Sequence, residues 1–553
     1  MAARSGGRIL VDQLRIHGTQ HVYGVPGESY LALLDALHDV PELKFFVCRQ
    51  EGGAAMMAEA DAKLTGRPGV CMVTRGPGAT NASAGIHIAH QDSTPLILLV
   101  GQVARSMMGR EAFQEIDFRH MYGPLSKWAA QIDDPARIPE MMARAFSIAS
   151  SGRPGPVVLA LPEDMLAETS DVRDAEPVRT SQASPDPKSI RAFSEILQTS
   201  QRPMLIVGGG GWDETAVGNI KAFAERTKIP IVTSFRRQDY FDNNHSSFAG
   251  YLGIGINPKL AQRVKDADLL IVLGARLSEV PTSGYSLLNI PVPDQNLVHV
   301  HADPEELGRV YQAQLPINAD PRAMAAVLHD VAVGDGAERW ADWLKGANSD
   351  CQNYSRAIKT PGNLQMSEVM THLQKVLPEN AIITNGAGNY TAWIHRFYRY
   401  RQYGTQLAPT AGSMGYGVPA SVAAKLRMPE REVIAFAGDG CFLMNGQEFA
   451  TAVQYGANII CIVVNNSMLG TIRMHQETHY PGRVSNTGLI NPDFASYAEA
   501  FGGYGEIVER TEEFPAAFQR ARDSAKPAIL ELRVDPEALT PGKSLSEIRG
   551  PSL

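Results

Sequence analysis

Two short polar segments, each closing an apolar run, hold the chain's best candidates for chemistry. Gly438-Asp439-Gly440 follows the run VIAFA, and its glycines permit a tight backbone approach that leaves the Asp439 carboxylate at a strand end. Asn465-Asn466 closes the run IICIVV. Between them lies a helix-period segment with Phe442, Phe449, Ala450 and Val453 apolar. A βαβ unit of this kind presents an Asp and an Asn from neighbouring strand ends, in the crevice where open parallel sheets bind ligands. A carboxylate, an amide oxygen and a nearby main-chain carbonyl are hard donors. Mg²⁺ takes such a set at roughly 2.0–2.1 Å when phosphate oxygens complete its shell. The pair therefore points to a magnesium-bridged diphosphate, whereas either segment alone reads as an ordinary turn.

The elements needed to position such a unit recur along the chain. FFVCRQEGGAAMMAEADAKLTG reads as strand, polar turn and a helix of small residues, and GVCMVTRGPGATNASAGIHIAHQ repeats that logic with a glycine-rich turn at Gly76 to Gly78 and a helix from near Ala79. PLILLVGQV and PVVLAL are further strands, and DVRDAEPVRTSQASPDP is a charged, Pro/Ser-rich linker. Strands at PMLIVGG, IPIVTS, LLIVLG and LVHVHAD follow, then a polar stretch from Gly346 to Gly362. A last block has AIITNGAGN, the glycine-rich AGSMGYGVPA, the Asp/Asn unit and a strand at AILELRV. Alternating strands and helices imply parallel sheets. The expected fold class is α/β, with three doubly wound parallel-sheet domains at residues 1–171, 187–335 and 360–553.

Composition narrows the function. At 553 residues, 44% hydrophobic and 20% charged, the chain has the make-up of a globular protein with large cores, and a net charge of −8 gives no footing for nucleic acid. Cys48, Cys71, Cys351, Cys441 and Cys461 lack CxxC spacing and mostly sit in or beside apolar runs, as reduced thiols do. No continuous apolar segment opens MAARSGGRILVDQL and no run of about 18 apolar residues exists to span a membrane. A cytoplasmic protein without nucleic-acid or membrane partners is expected.

The Asp439–Asn466 unit resembles the thiamin diphosphate (ThDP) motif of the ThDP-dependent enzymes. The three blocks resemble the pyrimidine-binding, central and diphosphate-binding domains of the acetolactate synthase and pyruvate oxidase branch. The resemblance spans the chain, and its most specific segments are RQEGGAAMMAEADAKLTGRPGV, TRGPGATNAS, AFQEIDFRHMYGPLSKWA, SSGRPGPVVLALPEDM and AGSMGYGVPA. It implies Mg²⁺ held by Asp439, Asn466 and the main-chain carbonyl of Met468. Gly438, Gly440 and Pro26 would border the cofactor, Gly412 would hold its amino group, and Met414 would wedge between its rings. Asn389 falls where relatives bind a diphosphate oxygen, although they carry Gln-His where this chain has Asn389-Tyr390.

Glu51 follows a strand and precedes small residues. A desolvated carboxylate is expected there, with a raised pKa; a glutamate serving a helix N-terminus is the plainer reading. In the family the glutamate at this position protonates the aminopyrimidine, so that the cofactor's own imino nitrogen can deprotonate the thiazolium carbon. Phe113, Gln114 and Lys127 are retained on the substrate side, where Gln114 is a candidate catalytic residue. Other positions depart: Glu28, Ser29 and Tyr30 replace small residues, Arg75 replaces Ser, Gln50 replaces His, and His475 stands at a Trp of biosynthetic acetolactate synthases. For Arg75 and Glu28, solvated surface charge is the alternative. His475, with His479 and Arg473, could form a lid in which an imidazole moves a proton near neutrality, or simply a solvated helix face.

Acetolactate synthases carry FAD on the central domain through an Arg and an Arg-Phe-Asp-Asp-Arg segment. This chain keeps Arg276 but has Ser278, Glu279 and Val280 in the second segment, and GGGGW at 208–212 lacks GxGxxG spacing, so FAD is doubtful. The resemblance implies a ThDP- and Mg²⁺-dependent transferase that decarboxylates a 2-oxo acid and passes the acyl carbanion equivalent to a ketone or aldehyde. The alternatives are a non-oxidative decarboxylase or 2-hydroxyacyl lyase, and a non-catalytic ThDP-binding scaffold. It also implies a homodimer or homotetramer with sites between subunits, for which the small-residue helices after Glu51 and Gly78 offer close-packing surfaces.

Overall fold

In the computed structural model, residues 3–550 are described. The first parallel sheet contains β2 (His21–Gly24), β3 (Lys44–Val47), β4 (Gly69–Val73), β5 (Leu96–Gln102), β6 (Trp128–Gln131) and β7 (Pro156–Pro162), while β1 (Arg4–Ser5) pairs antiparallel with β8 (Thr169–Ser170). The central sheet holds β9 (Pro203–Val207), β10 (Ile231–Thr233), β11 (Phe248–Tyr251), β12 (Leu269–Leu273), β13 (Asn296–His301) and β14 (Leu315–Asn318). The third holds β15 (Ile382–Asn385), β16 (Gln406–Leu407), β17 (Val433–Gly438), β18 (Ile460–Asn465), β19 (Tyr504–Val508) and β20 (Ala528–Arg533). Counted within each sheet, the strand order is 2-1-3-4-6-5 in the first and third and 3-2-1-4-5-6 in the central one. The expected three-sheet α/β architecture is what the chain adopts.

Every residue of β4, β5, β7, β9 and β12 is buried, as in parallel strands covered by helices on both faces. That is why their sequences are apolar runs rather than alternating ones. In the first sheet Ile9, Leu10 and Leu14 of the helix Gly6–Ile16 pack with Met142 and Phe146 of the helix Ile138–Ser150 over Val70, Ile97 and Val157. The central sheet carries a core on each face, one around Phe223, Ile271 and Trp340 and the other around Ile206, Val272 and Leu288.

By compactness the chain divides into two units. The first comprises residues up to Ser181 together with Pro409–Pro429 and Asn445–Ala457; the second comprises Gln182–Ala408, Glu430–Met444 and the chain from Asn458 onward. Among the described residues no helix is long and apolar enough to cross a membrane. All five cysteines are free and buried.

Several expectations are corrected. The short strands β6, β11, β14, β16 and β19 escaped notice because two to five residues carry little periodic signal. The polar stretch after Gly346 is helical as far as Tyr354, within a helix from Ala341 whose Leu344, Ala347 and Cys351 are buried at helical spacing. The helix after Gly78 starts earlier, at Pro77, whose fixed φ and missing N–H suit a first turn. The segment between Asp439 and Asn466 is two short helices, Asp439–Asn445 and Phe449–Gln454, joined by a 3-10 turn at Gly446–Glu448. Phe442 and Phe449 are buried there, whereas Ala450 and Val453 are only partly so, Thr451 and Ala452 taking the inward places. The small residues after Glu51 and Gly78 pack their two helices on each other within the chain: a Cβ on Gly85 would lie 2.4 Å from that of Ala55.

Candidate active site

In the second unit, parallel pairing of Gly438 with Val464 sets Asp439 beside the turn that follows β18. The Asp439 carboxylate is buried and accepts from the Asn491 amide at 2.8 Å, while Ser467 N and Met468 N beside it donate to Asn465 Oδ1 (3.0 Å) and Asn466 Oδ1. Burial raises its pKa, and the Asn491 bond with the neighbouring main-chain N–H dipoles pulls it back only in part. Asn466 Oδ1 accepts from Met468 N at 3.3 Å. Ser467, at φ 54°, turns the chain into an antiparallel bridge between Met468 and Gly488, in which Leu469 N bonds Thr487 O and Leu489 N bonds Ser467 O. That bridge uses the groups flanking Met468. Its own N–H and C=O lie on the opposite edge, where the N–H donates to Asn466 Oδ1.

This donor set fits a magnesium-bridged diphosphate. One buried carboxylate among neutral dipoles, an amide oxygen on the adjoining turn and the Met468 carbonyl, turned away from the bridge, stand at neighbouring strand ends. Asn491 adds a buried Oδ1 that has no hydrogen-bond partner among the described residues. Sequence reading missed Asn491, whose amide joins Asp439 to Asn465 Oδ1 (3.0 Å); its segment INPDF carries no periodic or motif signal. Asn389 lies in the same unit, accepting from Thr471 at 2.9 Å. Tyr390 does not stand in for the relatives' histidine as a polar contact. It is buried, accepts from Gly386 N at 2.9 Å, and packs its ring against Gly438 so closely that a Cβ there would sit 3.1 Å away.

In the first unit, Glu51 is the first residue of the helix Glu51–Thr65, and Gln50 is the N-cap, accepting from Gly53 N at 3.0 Å. Glu51 is half-buried rather than fully desolvated, because its carboxylate lies at the open end of the helix, where Asn81 donates to it at 2.9 Å. The turn delivering it is held by Glu448, fully buried, which accepts from Arg49 N (3.0 Å), Gln50 N (2.9 Å) and Thr451 Oγ1 (2.6 Å). A charged residue inside the otherwise apolar EFATAV was the available signal for Glu448. Gly412, at φ 69°, closes a turn on Pro409 O and is exposed; Met414 is half-buried two residues later, and Pro26 is exposed after β2.

Arg75 is not a solvated charge. It is 7% exposed and its guanidinium donates to Glu163 (3.0 Å), Glu28 (3.1 Å) and the carbonyl of Phe113 (3.3 Å). Gly76 beside it abuts Gln114, itself at φ 66°, where a Cβ would meet the Gln114 Cβ at 2.7 Å. Phe113 is 74% exposed. Lys127 is tied to the carbonyls of Ile148 and Ser151. In the second unit, Arg473 does not join the histidines: it pairs with buried Glu477 at 2.7 Å. His475 and His479 stack on an exposed helix face with ring centroids 6.3 Å apart. In the central sheet, the first two glycines of GGGGW are taken up by packing: a Cβ on Gly209 would fall 1.9 Å from Gly274 O, one on Gly208 2.4 Å from the Ser234 Cβ, and Trp212 donates to Gly208 O at 2.8 Å.

Models of the N-terminal, central and C-terminal domains of thiamine pyrophosphate enzymes match residues 4–121, 190–328 and 386–532. The chain is 33% identical to the acetolactate synthase large subunit of Corynebacterium glutamicum, over 99% of this chain and 90% of that one. It is 32% identical to the probable acetolactate synthase large subunit of Methanocaldococcus jannaschii, over 99% and 95%, and 30% identical to the isozyme 2 large subunit of Escherichia coli K12, over 98% and 99%. The chain belongs to the thiamine pyrophosphate-dependent enzymes, in the group of the acetolactate synthase large subunits.

Proposed function

We propose that the protein is a ThDP- and Mg²⁺-dependent carboligase that decarboxylates a 2-oxo acid and joins the acyl fragment to a carbonyl acceptor. The observation that carries this is Asp439, buried at the end of β17 among neutral donors and adjoined by the Asn466–Met468 turn. Asp439, Asn466 and the carbonyl of Met468 hold the metal, with Gly438, Gly440 and Asn389 lining the diphosphate. Bound ThDP supplies a thiazolium carbon that stabilises negative charge on the substrate's carbonyl carbon. Glu51, oriented by Asn81, exchanges a proton with the aminopyrimidine nitrogen. Gly412 would hold the amino group through its main-chain carbonyl and Met414 would wedge between the rings, supplying the proximity that proton transfer needs. Phe113 and Gln114 close the substrate side and exclude water, which decides whether the acceptor or a proton takes up the fragment. A flavin is left out of this proposal because the segment after Arg276 has Ser278, Glu279 and Val280 in place of the acidic pair and second Arg.

A second copy of the chain completes the site in this reading, as a homodimer or homotetramer. Exposed Leu31, Met107 and Phe113 in the first unit, and Leu443, Met444, Ile472 and Ile490 in the second, give apolar surface for it. Incubation with pyruvate as sole substrate tests the function: acetolactate or acetoin is expected, whereas acetaldehyde alone overturns carboligation in favour of simple decarboxylation. Activity that survives Glu51→Gln would remove Glu51 from its role.

A further inference from the structure

The loop carrying Gly412 and Met414 is pinned at both ends by buried charges that no step above uses. Ahead of it, Thr410 donates to Asp92 Oδ1 through its main-chain N–H (2.7 Å) and its hydroxyl (2.5 Å). Behind it, the Tyr416 hydroxyl donates to Glu59 Oε2 at 2.5 Å, and Thr94 donates to Oε1 of the same carboxylate at 2.7 Å. Glu59 is 0% and Asp92 2% exposed. They lie on the helices Glu51–Thr65 and Pro77–Asp92, the two that follow Gln50 and Gly76. Lys63 joins them: its ammonium is 2.9 Å from Glu59, salt-bridged to Asp92, and 5.1 Å above the Tyr416 ring.

Two carboxylates buried this deeply repel each other and are costly without a cation between them. With Lys63 in place each keeps a fixed oxygen toward one end of the loop. We propose that Glu59, Lys63 and Asp92 form a buried clamp that sets the position of the Gly412–Met414 loop, making Lys63 a positioning residue for the bent cofactor although it touches no reacting atom. The proposal rests on the reading that this loop faces the cofactor. A rigid anchor is what that task requires, since a misplacement of about 1 Å at a reacting centre can cost on the order of 100-fold in rate.

The test is Lys63→Met in the full chain, with Lys63→Arg as the charge-preserving variant and Tyr416→Phe as a milder cut at the same clamp. Three quantities are read: ThDP affinity by titration in saturating Mg²⁺, the kcat and KM for pyruvate, and the hydrogen–deuterium exchange rate at the thiazolium carbon of bound ThDP. The expected result for Lys63→Met is weaker ThDP binding, with kcat and the exchange rate lower by roughly tenfold or more and KM little changed; Lys63→Arg recovers part of both. A merely structural role lowers the melting temperature and leaves the exchange rate of the folded fraction unchanged, and that outcome overturns the clamp. If Lys63→Met does not fold, Tyr416→Phe decides on the same two signs. Met414→Ala run alongside separates the two readings: if it too leaves binding and exchange untouched, the loop does not face the cofactor, whereas if it alone changes them, only the clamp fails.

Discussion

The first and third sheets run their six strands in the same order, yet the loops after their third strands bury opposite charges that are answered in opposite ways. After β4 stands Arg75, whose guanidinium is met by the chain's own Glu28 and Glu163 and by a carbonyl. After β17 stands Asp439, which accepts from the Asn491 amide and has only neutral main-chain dipoles beside it. A buried charge paired from within shapes its surroundings and asks for nothing more. A buried charge left among dipoles carries an unpaid desolvation cost that an external ion can relieve. The family's metal chemistry is proposed on the second loop, and on the first stands Arg75, one of the positions where this chain departs from the family.

The sharpest way to break this comparison is Asp439→Asn, which keeps volume and removes charge. Mg²⁺-dependent ThDP affinity should fall by on the order of 100-fold while the melting temperature holds or rises, because the burial cost disappears. Equal affinity in calorimetric titration would mean that Asp439 is no ligand. Arg75→Met should do the reverse. Losing the partner of two part-exposed carboxylates should cost about 1–3 kcal/mol in stability and alter pyruvate KM through Phe113 and Gln114, with ThDP affinity unchanged. A drop in ThDP affinity like that of Asp439→Asn would erase the distinction between the loops.

The two units also bury titratable groups whose pH signatures oppose. In the second, Asp239 accepts from the main chain of Thr405 and Gln406 and is pushed up to about 6 by burial. Between its ordinary value and 6 the folded chain holds a proton that the unfolded chain has released, so stability falls as pH rises through that window, by on the order of 3 kcal/mol in all. In the first unit, His21 is pushed down to about 3 by burial. From there to its ordinary value the unfolded chain takes a proton that the fold refuses, and stability rises with pH. Asp239→Asn should therefore steepen the loss of melting temperature on going from pH 6 to pH 4.5, and an unchanged slope would count against the buried charge. The smallest effect is expected from His475→Gln. On an exposed face its stability should stay within about 0.5 kcal/mol, and a kcat loss of roughly 100-fold or more would mark a proton-transfer role.

Much of this was legible because parallel strands buried on both faces write themselves as apolar runs, and because Gly-Asp-Gly and Asn-Asn close two of those runs. The strand-end position of Asp439, the start of a helix at Glu51 and the linker before Pro187 could all be read locally. What could not be read depends on partners far away in sequence. Nothing in RGPG says that Arg75 will find Glu163, or in INPDF that Asn491 will reach Asp439. Exposure of Glu51 depends on what Asn81 and the helix end leave open. Short edge strands such as β16, with two residues, offer too few positions for any period.

Glu477 has a practical bearing beyond the reaction. This buried carboxylate, held down to about 2 chiefly by Arg549, accepts from Arg473 on its own helix and from Arg549 in the helix Leu545–Arg549. Arg549→Met would remove one of its two guanidinium partners and loosen the helix that follows the Asn466–Met468 turn. That variant is expected to lose coenzyme affinity while its sheets stay intact, so a contact remote from the reacting atoms governs how firmly the metal-side turn is held.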